Sequence, residues 1–187
     1  GNKDAAANNI HVIPVGALNN RGALSYYSET GSHLMIVAPS SGGTSGIFTT
    51  DLEGTDGYND GSTSSETAND DYTNDFGGTS SAAPLASGVG ALILQANPNL
   101  GWRDVKEILL RSSTKIASTS SGWTSRTGGQ PALPPIKHHH NYGGGLINAE
   151  AAVALAQGWQ NLPAETNLEI TNNTRVVIPD ATSNVTE

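Results

Sequence analysis

Between Phe76 and Leu100 the chain reads FGGTSSAAPLASGVGALILQANPNL. A dense run of Gly, Thr, Ser and Ala passes into an apolar segment. Leu85, Val89, Leu92, Ile93 and Ala96 recur there at helical spacing. The other side carries Ala86, Gly90 and Ala91. No side is polar, so the predicted helix has to be buried on nearly all sides, and the fold has to wrap other elements around it. Pro84 suits a first turn, where a missing N–H costs nothing, and ANPNL ends the helix. What the two serines at its mouth do is the question the rest of the chain has to answer.

The segments before it supply partners. Asn9–Leu18 is a short apolar run bounded by Asn-rich stretches, and it predicts a buried strand with Pro14 towards one end. Leu34–Ala38 predicts a second buried strand, closed by Pro39, and Gly46–Leu52 a third. After the apolar helix, Trp102–Ser113 is amphipathic, with Val105, Ile108 and Leu109 inward. Residues 114–145 read as irregular. A last helix follows, with Asn148 as N-cap and Gly158 as its end. Strands followed by helices fit an α/β domain with a central sheet.

Composition narrows the chemistry. The chain has 187 residues, enough for one sizeable core, and no Cys, which removes thiol nucleophiles, disulfides and cysteine metal sites. Its formal net charge is −8 with nine Lys plus Arg, and it has no basic stripe; a phosphate backbone would be repelled, so no nucleic-acid partner is expected. The longest apolar run, Leu85–Ala96, is broken by Ser87, Gly88 and Gly90 and is too short to span a bilayer, so no membrane is expected. The first residues, GNKDAAANN, show no leader, and the chain stops in the polar stretch DATSNVTE; both ends read as cuts in a longer protein.

From Asp51 to Asp75 lie eight of the 17 carboxylates: Asp51, Glu53, Asp56, Asp60, Glu66, Asp70, Asp71 and Asp75. The plain reading is a long solvated loop. The sharper one is a calcium site, since hard cations take six to eight oxygen ligands; the regular spacing of an EF-hand is absent, so no ligand set is assigned.

A serine is a poor nucleophile unless a base takes its proton and its Oγ is accessible. A helix N-terminus helps, because free N–H groups and the helix dipole favour a developing oxyanion. Small neighbours (Gly77, Gly78, Ala82, Ala83) let a substrate backbone approach. The competing reading makes Thr79 and Ser80 ordinary N-cap residues. The elbow of α/β-hydrolases requires glycines two residues either side of the serine; Gly78 fits for Ser80 and Ala82 does not.

The surroundings decide between these. GGTSSAAPLASGVGALILQANPNLGWRDVKEIL closely resembles the nucleophile helix and following helix of subtilisin-like serine proteases, above all the kexin/furin branch and its bacterial relatives. SYYSETGSHLMIVAPSSGG resembles that branch's YSE turn and following strand, IFTTDL the strand before its acidic loop, and HNYGGGLINAEAAVALAQGW its closing segment. AETNLEITNNTRVVIPD resembles the lead into the β-sandwich P domain. The likeness covers nearly the whole chain. It implies a three-layer α/β fold with a mostly parallel central sheet, of which only the C-terminal part is here. Residues 1–160 would belong to the peptidase domain and 161–187 to a linker and the start of a truncated P domain.

By this resemblance Ser80 is the nucleophile, with its backbone N–H as an oxyanion donor and Gly78 and Thr79 against the substrate. The family's His and Asp lie upstream. His11, His33 and His138–His140 lack the HGT context, and Asp56 falls after the point where the triad Asp would occur. The partner implied is an N-terminal part of the same peptidase that supplies both residues, and the substrate a protein or peptide. Two registers compete at the start. One makes Asn2 the oxyanion Asn of a GN pair. The other, free of gaps, aligns NKDAAANNIH with a stretch beyond that Asn, leaves Asn2 non-catalytic and is favoured. It puts Asp4 on the aspartate of the specificity pocket, where a carboxylate would prefer Arg or Lys before the cut; the plain reading is a turn cap. Glu29 falls on the YSE glutamate, a calcium ligand in the family. Thr30 and Gly31 stand where eukaryotic members have a Cys, which favours a bacterial relative.

Of the three consecutive histidines only His140 matches a family position, and neighbours in sequence cannot all face one site, so a metal role there is disfavoured. Tyr142 and Gly143 read as a structural turn. NNT and NVT match the glycosylation sequon but carry no meaning in a bacterial protein. The resulting expectation is a secreted, calcium-dependent serine endopeptidase, this chain alone being inactive. The rivals are an inactive subtilase-like binding module and a calcium-binding structural fragment.

Overall fold

The computed structural model describes residues 4–62, 67–127, 132–166 and 171. Elements in chain order are β1 (Val15–Leu18), β2 (Ile36–Pro39), β3 (Ile47–Thr50), β4 (Tyr72–Phe76), α1 (Thr79–Ala96), α2 (Trp102–Ser112), β5 (Thr124–Arg126), β6 (Ile136–His138) and α3 (Ala149–Gln157). Strands and helices combine as an α/β fold.

β1 and β2 pair in parallel, with Val15 opposite Ile36 and Leu18 opposite Pro39. Both faces of β2 are buried, as a central parallel strand requires. Ile36 packs with Ala86, Ile93, Ile108, Leu109, Ala152 and Ala156 of the three helices. Ala38 meets Ala17 and Ala82. Val37 points the other way, to Leu18 and Leu34, with Leu146 against them. Full burial of Ile93, Ile108 and Leu109 contributes roughly 1.5–3 kcal/mol each. Leu146 bridges to Val37 in parallel and extends the sheet. The glycine run before it makes this possible. Gly143 has φ +55°, and a Cβ there would strike the Met35 carbonyl. Tyr142 and Gly143 thus sit in a structural turn: the Gly143 N–H donates to His139 O at 2.7 Å, and the Gly144 N–H to Met35 O at 2.7 Å.

Several elements depart from the sequence reading. β1 starts at Val15 rather than Asn9, because Pro14 breaks the run; the Pro14 carbonyl accepts the Met35 N–H at 3.0 Å. The acidic stretch is not one loop. It returns as β4, which pairs antiparallel with β3. Residues 114–145 also contain a hairpin, β5 with β6. This hairpin is tied to α2 by buried Arg111, which pairs with Glu107 and donates to the carbonyls of Thr127 and Pro134.

The largest correction concerns α1. It begins at Thr79, so Pro84 lies inside the helix, in its second turn. There the proline removes the N–H that would bond the Ser80 carbonyl and loosens the helix at that residue. Nor is the helix buried on nearly all sides: Ser81, Ala82, Ala86 and Ile93 are buried, while Leu85, Leu92 and Leu94 are each at least 40% exposed. The described elements cover one side of it. Among the described residues no helix is long and apolar enough to cross a membrane. α3 forms as expected, with Asn148 Oδ1 accepting the Ala151 N–H at 2.9 Å and Gly158 at the C-cap. Residues 161–166 run irregularly past α3. Residues 167–170 and 172–187, the greater part of the expected P-domain lead, lie outside the described residues, as do both sequons.

Candidate active site

The turn that starts α1 gives the two serines different surroundings. The N-cap is Gly78, with φ 73° and ψ 179°, a conformation open essentially to Gly alone. No side chain caps the helix, so Thr79 and Ser80 are not N-cap residues. Ser81 is buried at 1% exposure, and its Oγ donates to Gly78 O at 3.1 Å. Ser80 is exposed at the same helix end.

A cluster of hydroxyls holds this turn. Ser40 Oγ donates to Gly78 O at 2.6 Å and lies 2.7 Å from Ser81 Oγ. Ser41 Oγ accepts the Gly78 N–H at 3.3 Å. Tyr27 OH donates to Ser41 O at 2.8 Å and lies 2.8 Å from Ser40 Oγ. Ser25 Oγ donates to Ser41 O at 2.6 Å. A Cβ at Gly77 would run into Ser41 Oγ, which is why a glycine stands there. β2 ends at Pro39, so Ser40 and Ser41 sit beyond its carboxyl end, where open α/β sheets gather their sites. Sequence reasoning missed Tyr27, Ser40 and Ser41. The available signal was the abrupt change from apolar strand to SSGG.

Thr79 also lines a cavity of about 360 Å³ with Asp4, Ala7, Pro14, Val15, Glu29, His33 and Leu34. Residues 75 positions apart in sequence therefore meet beside Ser80. Asp4 is both pocket wall and turn cap: its Oδ1 accepts the Ala6 N–H at 2.8 Å and the Ala7 N–H at 3.0 Å. The Ala7 and Ala6 amides hold its carboxyl below the usual carboxylate range, so it is charged at neutral pH. Asn2 lies outside the described residues.

Three of the acidic carboxylates cap backbone amides. Asp51 Oδ2 accepts the Asn59 N–H at 2.8 Å, and Asp71 Oδ1 the Gly54 N–H at 3.1 Å. Asp60 Oδ1 accepts the Ser62 N–H at 2.9 Å. Buried Asn59 supports the excursion from within, its Nδ2 donating to the carbonyls of Thr67, Asn69 and Tyr72. Glu66 lies outside the described residues. Among the described residues no three His, Cys, Asp or Glu converge as ligands. Among the described residues the loop gathers no calcium ligand set, and Glu29 offers one carboxylate.

The histidines fall in separate places, with His138 and His140 side by side at 5.9 Å between ring centroids. His11 packs against Trp102 with centroids 4.6 Å apart and planes tilted by 56°. His139 is buried, and its Nε2 lies 2.9 Å from Ser120 Oγ, which mimics a serine–base pair. Its Nδ1, however, accepts the Asn141 N–H at 3.0 Å. The neutral ring therefore carries its proton on Nε2 and donates to Ser120, so it cannot act as that serine's base. Among the described residues no histidine or carboxylate hydrogen-bonds Ser80.

Residues 2–145 match the profile of the Subtilase family. The chain is 38% identical over 166 residues to a dibasic-processing endoprotease of Yarrowia lipolytica, covering 89% of this chain and 16% of that protein. It is 42% identical over 166 residues to a calcium-dependent protease of Nostoc sp., covering 87% and 23%. The chain thus spans about a fifth of these relatives' length. Among solved structures, a serine protease of Aeromonas sobria superposes with a TM-score of 0.67 at 31% identity, over 80% of this chain and 30% of that one.

Proposed function

Because the chain belongs to the subtilase family, we propose that it contributes the nucleophile, Ser80, to a serine endopeptidase. One observation carries this reading: at one helix N-terminus Ser81 is buried and engaged in holding the turn, while Ser80 is presented to solvent. Ser80 Oγ attacks the scissile carbonyl carbon, and a histidine outside this chain takes the proton. The Ser80 N–H, at the open end of α1, stabilises the oxyanion, while the Ser81 N–H is held by Gly78 O at 3.2 Å. The amine leaves with the proton from that histidine, and water releases the acyl group.

The remaining parts of the proposal follow from the same surface. The histidine and aspartate come from an N-terminal part of the protein that packs on α1; the exposure of Leu85, Leu92 and Leu94 supports this. A basic side chain before the cut enters the cavity beside Thr79, where Asp4 supplies an ionised carboxylate. Glu29 supplies at most one carboxylate to a calcium site completed elsewhere in the intact protein. Secretion and a following P domain complete the reading and rest on the family resemblance.

Labelling with a fluorophosphonate probe tests the assignment. The intact protein is expected to label at Ser80, and the Ser80→Ala variant and the 187-residue chain alone to stay unlabelled. An unlabelled intact protein would favour the binding-module reading instead.

A further inference from the structure

The β3–β4 hairpin carries a feature that neither the core nor the chemistry of Ser80 uses. Phe48 and Tyr72 stack with ring centroids 5.6 Å apart and planes within 9°. Yet Phe48 is 63% exposed and Tyr72 37% exposed. Further along the hairpin Tyr58, 67% exposed, meets Phe76 edge-on with centroids 5.9 Å apart. Such a stack buries little area for the fold, and exposed aromatic surface of this kind marks contact sites.

Its surroundings select the occupant. Asp51, Glu53, Asp56, Asp60, Asp70, Asp71 and Asp75 stand on the same hairpin, and no Lys, Arg or His occurs between His33 and Arg103. The excursion is therefore a patch of one sign, which attracts basic segments and repels acidic ones. Aromatic faces reinforce that choice, since a guanidinium or ammonium over a ring is attracted to its negative face. β4 runs directly through Gly77, Gly78 and Thr79 into Ser80. From Tyr72 to Ser80 the chain can reach at most about 28 Å, the length of roughly eight extended residues. A polypeptide held at Ser80 therefore lies within that distance of Tyr72.

We propose that the Phe48–Tyr72 stack is a docking platform for the polypeptide substrate, gripping a stretch away from the scissile bond in which basic residues alternate with apolar ones. The proposal rests on Ser80 being the nucleophile of a peptidase.

The test uses the intact protein with Ser80→Ala and a fluorescent peptide of about eight residues alternating Arg and Leu, read by anisotropy. Adding Phe48→Ser and Tyr72→Ser is expected to weaken Kd about tenfold, and raised salt to weaken it further. Phe48→Tyr, which keeps a ring, is expected to bind as the parent does. A peptide with Glu in place of Arg is expected not to bind. Equal binding by the double variant, or equal loss in Phe48→Tyr, would overturn the platform. So would a thiol at Phe48→Cys that the folded intact protein shields from maleimide, because another part of the protein then covers the surface. If the wild type cleaves the basic peptide and the double variant cleaves it equally well, the platform fails and the peptidase stands. If the peptide binds through Phe48 to a protein that cleaves nothing, the peptidase reading fails and, with it, the platform's role for a substrate, while the stack remains a peptide-binding surface.

Discussion

Asp104 is a single carboxylate on which three segments close. It is 4% exposed at the start of α2. Its Oδ2 accepts the Gly101 N–H at 2.8 Å, completing the helix start. Its Oδ1 accepts the Trp159 indole N–H at 3.0 Å and the Leu162 N–H at 2.8 Å. Burial pushes the pKa up, but the hydrogen bonds from Leu162, Trp159 and Gly101 outweigh it and hold the carboxyl below its usual range. Asp104→Ala removes the acceptor of all three donors. Gly101 is exposed and can turn to water; the donors of Trp159 and Leu162 are buried or half-buried and cannot do so freely. At about 1–3 kcal/mol for each of these two stranded donors, the loss is about 2–6 kcal/mol. Asp104→Asn keeps an oxygen for Trp159 and Leu162 but turns an NH2 towards Gly101, so about 1–2 kcal/mol is expected. Urea denaturation of the intact protein, followed by far-UV circular dichroism, measures both. The pH dependence has a definite sign. The folded pKa is depressed, so the contribution is fully present above the unfolded value of about 3.9 and is lost as pH falls through the folded one. The gap between wild type and Asp104→Asn should therefore be constant above about pH 4 and shrink below it. An Asp104→Ala variant within 0.5 kcal/mol of wild type, roughly the scale of a surface substitution, would refute the reasoning.

Other outcomes follow from the same geometry. Gly78→Ala forces a Cβ into a conformation costing about 1–3 kcal/mol and should slow fluorophosphonate labelling of Ser80 even where the fold survives. Asp4→Asn in the intact protein should lower kcat/KM for substrates with Arg before the cut by about tenfold to a hundredfold, chiefly through KM, and unchanged kinetics would remove Asp4 from the pocket reading. Burial, then His140 and His138, lower the pKa of His139, so its neutral form is the folded one. Stability should thus fall as pH drops below about 6.5, the ordinary histidine value, and His139→Gln should flatten that slope in pH-dependent melting.

The elements legible in the sequence were those whose signal is local. α2 shows a clean amphipathic period, and α3 announces itself through Asn148 and Gly158. The turn that carries Ser80 was legible as a helix mouth because GGTSSAAP packs glycines and small polar residues directly before an apolar run. β4 was hidden inside an acidic stretch, since Tyr72–Phe76 is a strand by virtue of its partner β3 and not by its own composition. The start of α1 was misplaced for a related reason. Pro84 is a usual first-turn residue, but the helix begins five residues earlier because Gly78 and the hydroxyls of Ser40, Ser41 and Tyr27 set the turn upstream.

By itself the sequence determined the residue types and their order: a Cys-free α/β chain, a serine at a helix mouth, acids concentrated between Asp51 and Asp75, and aspartate and glutamate in motifs that resemble a subtilase. Only the tertiary structure decided which serine is exposed, since burial of Ser81 against Ser40 is a contact between residues 41 positions apart. It also decided that Asp4, Glu29 and Thr79 share a cavity. Asp51 and Asp71, in turn, cap backbone amides, and among the described residues no three acids converge. Local pattern records what a residue can do. Long-range packing selects which of those capacities is used, because exposure and partner geometry are set by segments far away in sequence.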